Sequence, residues 1–341
     1  MTRPCRIVHE LIESAVLAGN PFGDPTLRDT PVVLPPSYDD DPQRRFPVIV
    51  LLASFTATGW QQLNRSPLAE ALDERLARLY AADPSLPQAI VVLPDCYTAL
   101  GGSQYVDSPA LGRYASHIID EVIPLVDRRY RTLAAPAHRG VLGRSSGGIG
   151  ALWLGMNYPQ VFGALASHAG DGYFRLTQMP ELLKYQRRVR RYGGPEALLK
   201  QLLSIAAQKG QRSGDLFDLM TFLSCGAAYS PDPQSPLGFR LPIDWQTGTI
   251  DEAVFQRWLR FDPVEICAEE PYRSALRGMK LVYLDAGTRD EYHLDAAARQ
   301  LAARLRALGV NVVHEEFDDG HMNTNYRYDR SLPLLCRTLA G

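Results

Sequence analysis

The chain has 341 residues, 45% of them hydrophobic, and its 36 Lys and Arg against 38 Asp and Glu give a formal net charge of −2. That is enough apolar material for a sizeable core in one large or two smaller domains. The charge balance leaves no basic footprint for nucleic acid or an anionic membrane, so a small molecule is the expected partner.

The N-terminal residues, with Glu10 and Glu13 interrupting their apolar stretch, carry no signal-peptide h-region, and no run approaches the ~18 apolar residues of a membrane span. Five widely spaced cysteines (Cys5, Cys96, Cys225, Cys267 and Cys336) form no CxxC pair and no metal-like pattern with His. An odd count so spread argues for a reducing compartment, so a soluble cytoplasmic protein is expected, with monomer and homodimer both open. The basic run RRVRR at 187–191 reads as a solvated helix face.

In chain order, the segment up to Tyr38 predicts antiparallel edge strands, most clearly VVLPPSY at 32–38. PVIVLLA at 47–53 is a continuous apolar run, as in a strand buried on both faces. Residues 66–82 place Leu68, Leu72, Leu76 and Leu79 at helical spacing, AIVVL at 89–93 is a second strand, and 112–130 a second helix. A short strand at 140–142 leads through a Gly-rich turn into a helix at 147–157. Strands at 164–167, 281–285 and 312–317 follow, the last two accompanied by helices at 294–308 and 328–339. This alternation predicts an α/β fold with a mainly parallel sheet covered on both faces. Residues 172–270 break it, first helical (179–208) and then rich in Pro and Gly (229–248), which predicts one domain, 1–341, carrying an inserted lid or pocket wall. Aromatics there (Tyr173, Phe174, Phe222, Tyr229, Phe239, Trp245 and Trp258) suit either a pocket lining or a helix-packing core.

Gly143-Arg144-Ser145-Ser146-Gly147 matches G-x-S-x-G between the strand at 140–142 and the following helix. A serine on so tight a strand-to-helix turn is lifted above the sheet, and small neighbours keep strand and helix from colliding with it. Serine needs a base. His321, in the turn Asp318-Asp319-Gly320-His321 beyond the last strand, suits that role better than His9, His117, His138, His168, His293 or His314. The acid that orients the imidazole is best placed at Asp290, beyond the strand at 281–285, with Glu291 and Asp171 as alternatives. Donors for the oxyanion are expected from the Ser146 N–H and, after 47–53, the Phe55 N–H. Trp60 and Tyr105 are candidates for the pocket wall, and with Asp171 they are candidate substrate-binding residues. This chemistry requires no metal or organic cofactor.

Together the segments PVIVLLASF, VVLPDCY, GGSQYVDS, HRGVLGRSSGGIGAL, LDAGTRDEY and DDGHMNTNYR resemble the putative esterase family of α/β hydrolases, which includes esterase D, enterochelin esterases, feruloyl esterases and antigen 85 acyltransferases. The resemblance implies the α/β-hydrolase fold, with Ser145 as nucleophile, Asp290 as acid and His321 as base. It also implies that the loop with Gln104 and Tyr105 approaches the site, which adds Gln104 to the candidate substrate-binding residues. The chain departs from the family where Ala53-Ser54 replaces the common His-Gly before the oxyanion residue. The expected activity is a serine carboxylesterase acting on a small to medium ester through an acyl-enzyme. Alternatives are a thioesterase of the S-formylglutathione hydrolase type, an acyltransferase, or a non-catalytic binding protein on the same fold.

Overall fold

The computed structural model describes residues 3–208 and 214–341. Eight strands form one sheet: β1 Arg6–Glu13, β2 Leu27–Leu34, β3 Val48–Leu52, β4 Ile90–Val92, β5 Arg139–Arg144, β6 Ala164–His168, β7 Leu281–Gly287 and β8 Val312–Phe317. Their spatial order is β1-β2-β4-β3-β5-β6-β7-β8. The pairs β1–β2 and β2–β4 are antiparallel and all the others parallel. The helices that matter for the site are α1 Leu72–Ala82, α2 Ser146–Asn157, α3 Leu182–Arg191, α4 Pro195–Gln208, α5 Gly214–Tyr229, α6 Glu252–Leu259, α7 Leu294–Ala307 and α8 Tyr328–Ala340.

Strands β3, β4, β6 and β7 are buried throughout; β3 and β4 are accordingly unbroken apolar runs, and the buried Ser167, His168 and Asp285 of β6 and β7 are hydrogen-bonded. Alternate side chains serve opposite faces. Val48, Val50 and Leu52 join the core that includes Ile149 and Leu152 of α2 and Leu301 and Leu305 of α7. Ile49 and Leu51 join the core under Leu72 and Leu76 of α1 and Leu332, Leu335 and Leu339 of α8.

Three expectations from the sequence are corrected. The helix expected at 66–82 starts only at Leu72: Leu68 stands 96% exposed, and the Glu74 carboxylate accepts the Ala71 N–H at 3.0 Å to close the helix start. The strand expected at 32–38 runs instead over Leu27–Leu34 and lies inside the sheet, because β1 supplies the edge outside it. The helix expected at 112–130 contains a π-helical stretch, His117–Val122.

Residues 172–270 are helical over much of their length, and the stretch expected at 179–208 is divided between α3 and α4 at Gly193 and Gly194. Phe174, Phe222, Tyr229, Phe239 and Trp258 are buried, with Tyr185 stacked on Phe222 at 4.6 Å and the Trp258 indole donating to Ser230 Oγ at 2.9 Å. These aromatics form the core of the segment. Arg188 of the basic run is ion-paired with Asp218 of α5. Among the described residues, no helix is long and apolar enough to cross a membrane.

Candidate active site

Strand β5 ends at Arg144 and α2 starts at Ser146, leaving Ser145 alone at the corner with φ 58 and ψ −124. Such a backbone is costly for a residue with a side chain and persists only where the surroundings enforce it. They do so here: the Ser145 N–H donates to the His168 carbonyl at 2.9 Å, and the Ser145 carbonyl accepts the Gly148 N–H at 2.7 Å. The two glycines of the motif are matters of contact. A Cβ on Gly143 would lie 2.1 Å from the Gly147 carbonyl oxygen, and one on Gly147 would lie 2.4 Å from that of Leu52.

The turns beyond β7 and β8 bring Asp290 and His321 to the same edge. The Ser145 hydroxyl lies 3.0 Å from His321 Nε2, and His321 Nδ1 lies 2.8 Å from Asp290 Oδ2. With a carboxylate on Nδ1, the neutral ring keeps its proton there, so Nε2 accepts from the serine. Asp290 is held by its second oxygen, which accepts the Tyr292 N–H at 2.9 Å. His321 is held by its backbone: Glu291 accepts its N–H at 2.8 Å, Arg144 donates to its carbonyl at 2.8 Å, and Tyr292 sits edge-on to the ring at 4.9 Å. Glu291, weighed above as an alternative acid, therefore reaches the main chain of His321 and not its ring.

Phe55 and Ser146 both line the cavity above Ser145. The Ala53-Ser54 departure has a structural resolution. Neither residue has a positive φ; the one left-handed residue of this loop is Thr56, at φ 60. Ser54 Oγ donates to the Arg144 carbonyl at 3.1 Å, and Tyr105 OH donates to the Ala53 carbonyl at 2.6 Å, so side chains hold a path for which a glycine is not needed. Gln104 approaches as expected, its Oε1 accepting from Ser146 Oγ at 3.0 Å.

Two of the expected wall residues lie elsewhere. Trp60 packs 4.1 Å from the His9 ring and donates to Asp29 at 2.8 Å, because the 3-10 turn Gly59–Leu63 directs it toward the β1–β2 side of the sheet. Tyr105 is 5% exposed and acts as a strut under the loop that carries Phe55. The walls come instead from residues the sequence did not single out: Tyr185 and Phe217 of α3 and α5, with Tyr292, Leu294 and Met322. Helical spacing alone cannot tell a cavity wall from a packed face. The cavity is about 200 Å³, and Asp171 also lines it. Burial pushes the Asp171 carboxyl up to about 6.

His168 is buried between Asp285, 2.7 Å from its Nδ1, and Ser331, 2.8 Å from its Nε2. Among the described residues, no group of three or more His, Cys, Asp or Glu is arranged to hold a metal ion.

Residues 27–329 match the family model described as Esterase, putative esterase. A curated relative, the uncharacterized protein YbbA of Bacillus subtilis (strain 168), is 29% identical over 92 residues, 27% of this chain and 34% of that protein, so the chain spans about a third of its length. Among solved structures, a ferulic acid esterase aligns with TM-score 0.63 and 19% identity over 98% of this chain and 99% of the other. An S-formylglutathione hydrolase from Agrobacterium tumefaciens aligns with TM-score 0.56 and 14% identity over 99% and 97%. A fluorophosphonate-binding serine hydrolase from Staphylococcus aureus aligns with TM-score 0.55 and 11% identity over 99% of both. These likenesses establish the α/β-hydrolase fold, and on the family match the chain belongs to the putative esterase family.

Proposed function

We propose that the protein is a serine carboxylesterase that hydrolyses a small to medium ester through an acyl-enzyme. The observation that carries the reading is the hydrogen-bonded series Ser145–His321–Asp290, at 3.0 and 2.8 Å, opening into a cavity of about 200 Å³. In this reading Ser145 attacks the ester carbonyl while His321 Nε2 takes its proton. The Phe55 and Ser146 N–H groups receive the developing oxyanion, and Asp290 stabilises the imidazolium. His321 then returns the proton to the leaving alcohol, and water repeats the cycle to release the acid. The cap residues from α3 and α5 close one side of the cavity and set which ester fits. The complete triad speaks against a non-catalytic binding protein, since such proteins need none of it.

Thioester hydrolysis and acyl transfer use the same residues. The S-formylglutathione hydrolase among the structural neighbours keeps the first of these in view. Hydrolysis rates on matched oxygen esters and thioesters, with product analysis in the presence of an added alcohol acceptor, test the reading. It predicts free acid as the main product, with Ser145→Ala at background for every substrate. Turnover that survives Ser145→Ala would overturn it.

A further inference from the structure

Asp171 sits on the turn Gly170-Asp171-Gly172 after β6 and lines the cavity together with Ser145 and His321. Its backbone is fixed on both sides. The Ala169 N–H donates to the Asp285 carbonyl at 2.6 Å, and a Cβ on Gly148 would lie 2.6 Å from the Gly170 Cα. Two and three residues on, the N–H groups of Tyr173 and Phe174 donate to the buried Asp262 at 2.8 and 2.6 Å.

The Asp171 carboxylate nonetheless accepts no hydrogen bond and joins no ion pair among the described residues. Every fully buried carboxylate of the described chain is met. Glu10 has Arg129 and Tyr130, Asp24 has the Ala99 N–H, and Asp73 has Arg65. Asp262 has three backbone N–H groups, Asp285 has His168, Arg327 and Tyr283, and Asp290 has His321. Asp171 differs from them in being half-buried at the cavity wall, where its carboxylate can receive a partner from a molecule that enters the cavity.

The other carboxylates of the cavity wall already have partners. Asp218, on the same cavity, is paired with Arg188, and Glu181 is paired with Lys184 at 2.6 Å. Arg144 turns its guanidinium to the His321 carbonyl, 2.8 Å away, and is not ion-paired with Asp171. Of the cavity's wall carboxylates Asp171 is thus the one without a hydrogen bond or ion pair among the described residues, and the aromatic rings of Tyr185 and Phe217, lining the same cavity, suit a cation as well.

We propose that Asp171 selects esters whose acyl or alcohol part carries one ammonium charge, which it receives inside the cavity. The proposal rests on Ser145 being the esterase nucleophile.

Two matched pairs separate the halves of the ester: the acetate esters of 4-aminobutanol and pentanol, and the p-nitrophenyl esters of 6-aminocaproate and heptanoate. The ratio of kcat/KM, cationic over neutral, is measured for wild type, Asp171→Asn and Asp171→Glu. One pair is expected to give a ratio of about 10 to 100, the range of one hydrogen bond between charged groups. Asp171→Asn is expected to bring it to about 1, and Asp171→Glu to restore part of it. Circular dichroism and fluorophosphonate labelling of the variants report whether they fold. A wild-type ratio near or below 1 in both pairs overturns the proposal, as does a ratio unchanged in Asp171→Asn. Calorimetric Kd values for the same esters on Ser145→Ala, with and without Asp171→Asn, read the preference without turnover. Failure of the esterase reading is thereby kept apart from failure of the ammonium site.

Discussion

Replacing Asp290 by Asn keeps the size of the side chain and removes one property, an acceptor on each of two faces. In the structure Oδ2 faces His321 Nδ1 at 2.8 Å and Oδ1 accepts the Tyr292 N–H at 2.9 Å. An amide has one oxygen for these two places. If the oxygen stays on Tyr292, the NH₂ faces His321 and forces the ring proton onto Nε2, where it cannot accept from Ser145. If the oxygen turns to His321, the NH₂ meets the Tyr292 N–H, and a buried donor goes unpaired at a cost of about 2 kcal/mol. Even then the imidazolium loses its carboxylate, whose attraction at about 4 Å and an effective dielectric near 20 is roughly 4 kcal/mol. Together these amount to about 6 kcal/mol, which lowers kcat/KM by about 10⁴-fold. The assay is kcat/KM on one neutral ester for wild type, Asp290→Asn and Glu291→Gln. Glu291 reaches only the His321 backbone N–H, so its loss is expected to cost about 10-fold through positioning. Asp290→Asn within about 10-fold of wild type, or Glu291→Gln as the more damaging change, would refute the reasoning.

Gly147→Ala drives a Cβ to within 2.4 Å of the Leu52 carbonyl and 2.8 Å of that of Ala53, so the nucleophile turn and the oxyanion loop separate. A lowered Tm and turnover slowed by about two orders of magnitude or more are expected; retention of both would show that the contact is not limiting. The Asp171 carboxyl is raised by burial from 3.8 to about 6, so its stabilising contribution is present below its unfolded value and lost as pH rises through about 6. Asp171→Asn is therefore expected to stabilise the protein at pH 8 by roughly 1–3 kcal/mol in denaturant unfolding, and destabilisation there would contradict it. Glu315 is held down at about 2 by hydrogen bonds from Arg330 and Arg327, which outweigh its burial, so its contribution is present above about 4.5 and lost as pH falls toward 2. Glu315→Gln is expected to lower the denaturant midpoint at pH 7, with the difference fading by pH 2; a difference unchanged across that range would refute the assignment.

The parts of the fold that were legible in the sequence are those where burial on both sides leaves no room for polar residues. The apolar runs of β3 and β4 read as strands because both faces pack against helices. Strand β1, RIVHELIE, does not stand out in the sequence: it lies at the sheet edge, and only Glu10 and Ile12 are fully buried along it. The Glu10 carboxylate, met by Arg129 and Tyr130, masks the alternation that would mark the strand. Leu68 misleads the helix assignment because apolar spacing says nothing about where a cap closes.

In the site, Ser145, His321 and Asp290 were legible because each lies just past a strand end on one edge of a parallel sheet. The walls were not. Tyr185 and Phe217 reach the cavity only through the packing of α3 on α5, and the role of Tyr105 depends on a hydrogen bond to a carbonyl 52 residues earlier. Contacts between distant segments leave no local pattern to read. The departure at Ala53-Ser54 likewise proves compatible with an ordered loop, since the left-handed turn falls at Thr56.

Central to the proposed activity is Ser145 as an activated nucleophile facing prearranged oxyanion donors. A fluorophosphonate probe tests both properties while demanding little of substrate recognition. Wild type and Ser145→Ala, each shown to be folded, are treated with the probe and digested, and the adduct is mapped by mass spectrometry. A single adduct on Ser145, absent from Ser145→Ala, is the predicted result. Folded wild-type protein that stays unlabelled, or an adduct on another residue, would contradict the account.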